Sequence, residues 1–351
     1  MYVRRDRLTA LGSRLQQEVD SFRIPGAVVA LGNRQEIVYF ETFGYAENRN
    51  GAVRKMSPDT LFDLASLTKV VATLPSLLML MDDGRLRLSD KVVDFIPEFP
   101  DHEVCVLHLL THTSGLPASR PYHRICKTPD DIWHRVRTET LEYQPGTRVV
   151  YSDVGFMLLA QIIQVVSGQP IDEYARQHVF QPLRMNRTTY CPSRELQNLC
   201  AATEASHNGP AKVGIVHDEN AEAMGGISGH AGLFAPMTDL IRYVQMWTSL
   251  QYALLSSVVR RVAVRCHTAD LDGRRGLGWV CRGDRYDHMG DTWPQTAVGH
   301  TGFTGTSLAF DPETGLWMIL LTNDVHYGRE NRTIVRLRSL LHNIAGSAIV
   351  P

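Results

Sequence analysis

Hydrophobic positions along the chain change period twice, and the changes divide it into three stretches. Leu8, Leu11, Leu15, Val19 and Phe22 recur at steps of three and four, which places them on one stripe of an opening helix. After Pro25 the texture becomes strand-like. Ala27-Val28-Val29-Ala30-Leu31 and Ile37-Val38-Tyr39-Phe40, separated by Gly32-Asn33-Arg34-Gln35, predict a hairpin. Near the other end Thr306-Ser307-Leu308-Ala309-Phe310 and Leu316-Trp317-Met318-Ile319-Leu320-Leu321 flank the turn signal Asp311-Pro312-Glu313-Thr314-Gly315, and a last helix is predicted near Ile334 to Ile344. The middle reads as helical: Thr68 to Met81 is apolar with few breakers, and Val154 to Val166 is a buried helix closed by Gly168 and Pro170.

Two terminal hairpins cannot each bury a face alone, so the economical fold is α+β: one antiparallel sheet built from both chain ends and flanked by helices, with a mostly helical sub-domain inserted. This predicts a sheet sub-domain from residues 1–65 and 255–351, a helical sub-domain from residues 66–254, and an active site at their junction.

Composition narrows the partners. The 351 residues carry Lys+Arg 36 against Asp+Glu 37, a net charge of -1. There is no basic field to hold nucleic acid or an anionic membrane. No run approaches a membrane span, and the opening segment lacks the apolar stretch of a secretory signal, so a cytoplasmic location is expected. The six cysteines form no C-x-x-C pair and are expected to be reduced packing residues. Only five of the cations are lysines, so a motif that needs a lysine has few places to sit.

One of those lysines lies in Ser66-Leu67-Thr68-Lys69, at the expected start of a helix. One helical turn would bring the Ser66 hydroxyl and the Lys69 amine to the same face, and a desolvated lysine can serve as base to a serine nucleophile. An ordinary N-cap is the alternative for Ser66. A second candidate is Tyr151-Ser152-Asp153 before the Val154 helix, where a tyrosine beside a lysine could pass a proton, although Ser152 or Asp153 would cap that helix whatever its function. A third is His300-Thr301-Gly302 with Phe303, ahead of the C-terminal hairpin and expected at a strand start. Small residues there let a substrate lie along an edge strand, and an exposed backbone N–H can hold an oxyanion.

Together, in this order, the three segments resemble the serine β-lactamase and penicillin-binding-protein superfamily, specifically its class C branch of β-lactamases, DD-peptidases and carboxylesterases. The resemblance extends to Leu109-Leu110-Thr111-His112-Thr113-Ser114-Gly115-Leu116, to Pro145 through Pro182-Leu183, and to Gly225-Gly226-Ile227-Ser228-Gly229-His230-Ala231-Gly232-Leu233-Phe234. It implies a β-lactamase/transpeptidase-like fold, Ser66 as the acylated nucleophile, Lys69 as its base, Tyr151 as proton shuttle, and the backbone N–H groups of Ser66 and Phe303 as oxyanion hole. His300, Thr301 and Gly302 take the third-motif position and Asp153 the last place of the second.

Two positions depart from the pattern. The family often carries asparagine where Asp153 stands, and a carboxylate beside Lys69 would favour the ammonium. Where many members carry lysine this chain has His300, mostly neutral at pH 7, so the grip on a substrate carboxylate is expected to weaken. Val216-His217-Asp218-Glu219-Asn220-Ala221 is similar to a subgroup linked to muropeptide recycling, some of whose members are N-acetylmuramoyl-L-alanine amidases. His217, Asp218, Asn220 and His230 are therefore candidates for a polar substrate pocket, against the alternative of a hydrogen-bonded loop.

His108 and His112 are spaced i, i+4 but lack the H-E-x-x-H pattern, so no metal or cofactor is expected, and His112 is expected to be a structural hydrogen-bonder. The sequence thus predicts a serine hydrolase that forms an acyl-enzyme with an ester, amide or β-lactam carbonyl. Its expected partner is a small molecule, a β-lactam or a peptidoglycan fragment. A cytosolic muropeptide amidase and a non-catalytic peptidoglycan-fragment binder are the alternatives.

Overall fold

The computed structural model describes residues 2–49, 51–205, 210–249 and 254–350. Its centre is a seven-stranded antiparallel sheet whose spatial order is Val280–Cys281, Val298–Thr301, Ser307–Phe310, Trp317–Thr322, Gly26–Gly32, Ile37–Glu47, Arg54–Lys55. The two terminal hairpins meet where Trp317–Thr322 pairs with Gly26–Gly32, so the expected sheet from both chain ends is the observed one. Gly32 is required at this seam, because a Cβ there would lie 2.2 Å from the Trp317 ring.

Strand alternation divides the sheet's side chains between two cores. Val28, Ala30, Leu308, Phe310, Ile319 and Leu321 face the helical body, whereas Ala27, Val29, Leu31, Ala309, Met318 and Leu320 face the helices Arg5–Asp20 and Thr333–Ala348. The Arg5–Asp20 stripe buries Leu8, Leu11, Leu15 and Val19 as predicted, each apolar side chain contributing about 1.5–3 kcal/mol. Phe22 does not belong to it. The helix ends at Asp20, and Phe22 turns into left-handed backbone (φ 52°), which carries its ring out to solvent.

The helix Asp153–Ser167 runs through the helical body with Val154, Phe156, Met157, Leu158, Leu159, Ile162 and Ile163 buried, and it ends on Gly168 at φ 78°. Thr68 to Met81 is not one regular helix. It holds a π-helical turn, Lys69–Thr73, followed by an α-helix, Leu74–Asp82. Pro75 has no N–H to return to the preceding turn, which suits the wider winding ahead of it.

Another departure is that His300-Thr301-Gly302 is not a strand start. Val298–Thr301 is a further strand of the sheet, paired with Ser307–Phe310, and Gly302 to Gly305 form the turn between them. The cysteines are free, with Cys105, Cys200 and Cys281 buried but Cys191 exposed, so Cys191 is not a packing residue. Among the described residues no single helix is long and apolar enough to cross a membrane.

Candidate active site

A strand, a strained turn and a helix start bring Ser66 to the site. Leu61–Asp63 pairs with Leu233–Pro236, after which Ala65 takes a left-handed conformation (φ 45°), unusual for a residue with a Cβ. The buried Asp63 carboxylate fixes that conformation by accepting from Ala65 N at 2.8 Å and from His217 N at 2.6 Å. Burial holds Asp63 above the ordinary carboxyl value against these two donors. Ser66 therefore precedes the first helical residue and does not lie within the helix.

Lys69 is fully buried, and its Nζ donates to Ser66 Oγ at 3.0 Å and to His230 O at 3.1 Å. The same nitrogen lies 2.7 Å from Asp153 Oδ1 and 4.9 Å from the centre of the Tyr151 ring. Burial opposes the charge on Lys69, but Asp153 and Tyr151 outweigh it and raise the lysine above its ordinary value. Burial likewise raises the Tyr151 hydroxyl, which interacts with both Lys69 and Ser66, although Lys69 pulls it the other way. The resting cluster is thus an ammonium paired with a carboxylate, beside a neutral phenol and a neutral serine.

Ser152 does cap the Asp153–Ser167 helix, accepting from Gly155 N at 3.2 Å and donating to Pro117 O at 2.6 Å. The capping and chemical readings of Tyr151-Ser152-Asp153 are therefore compatible: the middle residue holds the backbone while its neighbours face Lys69. His112 accepts from Ser152 N at 3.0 Å with its ring 4.6 Å from that of Tyr151, a structural role as expected.

Opposite Ser66 stands the turn after Val298–Thr301. Thr304 Oγ1 donates to Asp63 O at 2.7 Å and Thr306 Oγ1 to Leu64 O at 3.1 Å, which stitches this turn to the residues just before Ser66. Gly302 permits the approach, since a Cβ there would lie 2.4 Å from Leu64 O. Among the described residues neither Ser66 N nor Phe303 N donates a hydrogen bond. Two unengaged N–H groups facing one cavity can hold a developing oxyanion.

Ser66, Tyr151, His300, Thr301, Gly302 and Phe303 all line a cavity of about 300 Å³. His300 is 2% exposed, its Nδ1 lies 2.9 Å from Thr301 O, and burial together with the charges of Lys69 and Arg275 lowers it to about 3. It is neutral at pH 7, as the sequence led us to expect.

The four remaining candidates do not line this cavity. His217 stacks on the exposed Phe303 ring at 5.7 Å, with Nε2 3.0 Å from Glu204 Oε2. Asp218 caps the helix Glu219–Ala223 and lies 3.0 Å from His230 Nε2. Burial opposes its charge, yet His230 holds it well below the usual carboxylate range. Asn220 ties down a neighbouring segment, accepting from His123 N at 3.0 Å and donating to Arg120 O at 2.8 Å. His230 presents its carbonyl to Lys69. Their contacts are those of caps and hydrogen-bonded loops, and none of the four lines the cavity.

Known proteins resemble this chain over most of its length. The Beta-lactamase family profile matches residues 11–342. An N-acetylmuramyl-L-alanine amidase of Bacillus subtilis is 34% identical over an alignment 352 positions long, covering 86% of this chain and 78% of the relative. This chain belongs to the Beta-lactamase family. Two solved structures share the fold: a penicillin-binding protein homologue from Caulobacter crescentus and EstCE1, described as a hydrolase with promiscuous acyltransferase activity. The first has a TM-score of 0.77 at 19% identity and covers 99% of each chain. The second has a TM-score of 0.75 at 21% identity and covers 95% of this chain and 98% of its own. The β-lactamase-related serine hydrolase class read from the sequence is thus established.

For this family member the sequence reading missed three contributors. Asp63 shapes the turn before Ser66 but resembles any acidic residue after a strand. Arg275, 1% exposed, and Arg338 line the cavity beside His300 and come from segments far away in sequence. Arg338 Nη2 donates to Gly302 O and Thr306 O, each at 2.9 Å, and burial lowers this guanidinium to about 10 although Asp324 opposes the shift. Burial raises Asp324 to about 7, so it is only partly charged near neutrality.

Proposed function

We propose that this serine hydrolase acts on small amides or esters of the peptidoglycan-fragment kind, with Ser66 as nucleophile. The observation that carries the reading is Ser66 Oγ 3.0 Å from a fully buried Lys69 Nζ, beside Tyr151 and facing two unengaged backbone N–H groups. Ser66 Oγ attacks the carbonyl carbon, and the carbonyl oxygen takes up negative charge opposite the N–H groups of Ser66 and Phe303. The Ser66 proton passes into the Lys69–Tyr151 pair and from there to the departing nitrogen or oxygen as its bond to carbon breaks. Water then attacks the acyl carbon as the same pair takes up its proton, and the pair delivers that proton to Ser66 Oγ as the ester bond breaks and the acid leaves.

Because Lys69 and Tyr151 are both raised, the pair must first lose one proton, and activity rises toward alkaline pH. The choice of substrate is supported by the name of the Bacillus subtilis relative, an amidase at 34% identity. The reading includes two sub-domains, residues 1–65 with 255–351 and residues 66–254. In support, Ser66 and Tyr151 reach the cavity from the second, while Arg275, His300 and Arg338 reach it from the first.

The test is hydrolysis of a muramyl peptide and of a short aryl ester by wild type and Ser66→Ala. Ser66-dependent turnover of both, with kcat/KM at least tenfold higher for the muramyl peptide, is expected. Turnover of the ester alone would remove the peptidoglycan reading. Turnover of neither would remove hydrolysis at this site.

A further inference from the structure

Asp218 and His230 meet behind Lys69, and the mechanism above uses neither side chain. His230 is 1% exposed and both of its ring nitrogens are occupied: Nε2 lies 3.0 Å from Asp218 Oδ1, and Nδ1 lies 2.8 Å from Ser228 Oγ. An ionised carboxyl can only accept, so Nε2 carries a hydrogen. Asp218 is itself anchored, because the same Oδ1 accepts from Ala221 N at 2.8 Å as the cap of the helix Glu219–Ala223. The backbone leading to His230 is held as closely. Gly229 O accepts from Thr73 Oγ1 at 2.6 Å and Ser228 O from the Tyr190 hydroxyl at 3.1 Å, while a Cβ on Gly229 would lie 2.1 Å from Phe156 O.

What this anchoring delivers to the site is one carbonyl. His230 O accepts from Lys69 Nζ at 3.1 Å, and Asp153 Oδ1 lies 2.7 Å from the same nitrogen. Both oxygens can only accept. When the Lys69 ammonium gives up a proton, its two remaining hydrogens are drawn to these oxygens, and the lone pair is left facing Ser66 Oγ, 3.0 Å away. Without a fixed carbonyl the amine can rotate about its last bond and turn the lone pair away from the serine.

We propose that Asp218 and His230 are positioning residues for Lys69: the carboxylate fixes the imidazole, the imidazole fixes its own main-chain carbonyl, and the carbonyl aims the amine at Ser66. Neither side chain lines the cavity, so the effect falls on the rate of attack and not on what is bound. It gives residues 216–221 a task that a substrate pocket does not. The inference rests on Lys69 serving Ser66, as proposed above.

The test is the rate at which a fluorophosphonate labels Ser66, followed by intact-protein mass. In that reaction Ser66 Oγ displaces fluoride from phosphorus while its proton passes into the Lys69–Tyr151 pair. Asp218→Ser keeps a hydroxyl that can cap the helix but is too short to reach His230. It should slow the limiting labelling rate at least tenfold and leave the half-saturating reagent concentration within threefold. Asp218→Asn, which keeps the length and an acceptor oxygen, should label at least threefold faster than Asp218→Ser. In Lys69→Ala, labelled over longer times, Asp218→Ser should cost less than a further threefold, because the amine to be aimed is gone. A general loss of structure would instead slow both backgrounds alike. If Asp218→Ser does not fold, His230→Phe, which removes both ring nitrogens, must show the same dependence on Lys69. Equal rates for wild type and Asp218→Ser, or an equal fall in both backgrounds, would overturn this inference alone. No labelling of wild type would overturn the hydrolase reading and this inference with it.

Discussion

On the helical wall of the cavity, Lys69 sits 2.7 Å from Asp153 and 3.0 Å from Ser66, and the positive charge is balanced where it stands. On the sheet wall, Arg275 has a single 3.3 Å contact to Asp284, His300 is neutral, and Arg338 donates to carbonyls with a partly protonated Asp324 nearby. One wall is complete without a ligand and the other is not. On the proposed reading the balanced wall moves protons, whereas the sheet wall leaves buried guanidinium donors without a partner among the described residues.

The comparison breaks first at the balanced wall. Lys69→Ala should lower kcat/KM for any accepted substrate on the order of 10³-fold, since nucleophile and proton shuttle lose their shared partner. A loss under tenfold would place proton transfer elsewhere. Gly302→Ala comes next: its Cβ would meet Leu64 O, push the turn away and carry Phe303 N out of line. A drop in kcat of about 10²-fold, the usual cost of one oxyanion donor, is expected together with a lower melting temperature, because the clash is with backbone. Unchanged kcat would remove Phe303 N from the mechanism.

Asp153→Asn sharpens the comparison by removing the charge balance. The carboxylate raises Lys69, so its removal lets the Lys69–Tyr151 pair lose a proton at lower pH, and the alkaline-rising limb of kcat/KM should move to lower pH. A shift to higher pH would contradict the sign. The smallest effect belongs to the bracing layer behind the walls. Asn220→Ala should cost about 1–2 kcal/mol of stability, measured by denaturant unfolding, and leave kcat/KM within threefold. A larger kinetic than thermodynamic effect would return Asn220 to the list of substrate-binding residues.

Local pattern made much of this legible in the sequence. The hairpins at residues 27–40 and 306–321 follow from alternation and turn residues, and their union follows because each needs a partner. Ser66 and Lys69 are three residues apart, so the sequence spacing nearly fixes their meeting even though the helix starts after Ser66 and becomes π-helical from Lys69. What stayed hidden depends on distant contacts. Asp63 acts through the backbone of His217, and Gly302 is demanded by Leu64 across the cavity. Arg274-Arg275 resembles a solvated basic pair, and only tertiary structure buries the second arginine. Phe22 shows the converse error, where an apolar residue in register lies past the helix end.

The central claim is that Ser66 is an activated nucleophile in an assembled cavity, and intact-protein mass tests it most directly. Wild type and Ser66→Ala would each be incubated with a fluorophosphonate and, separately, with a penicillin, across the alkaline range. The account predicts one adduct per chain on wild type with at least the fluorophosphonate, formed faster as pH rises, and none on Ser66→Ala. No adduct on wild type with either reagent, or the same adduct on both proteins, would contradict it.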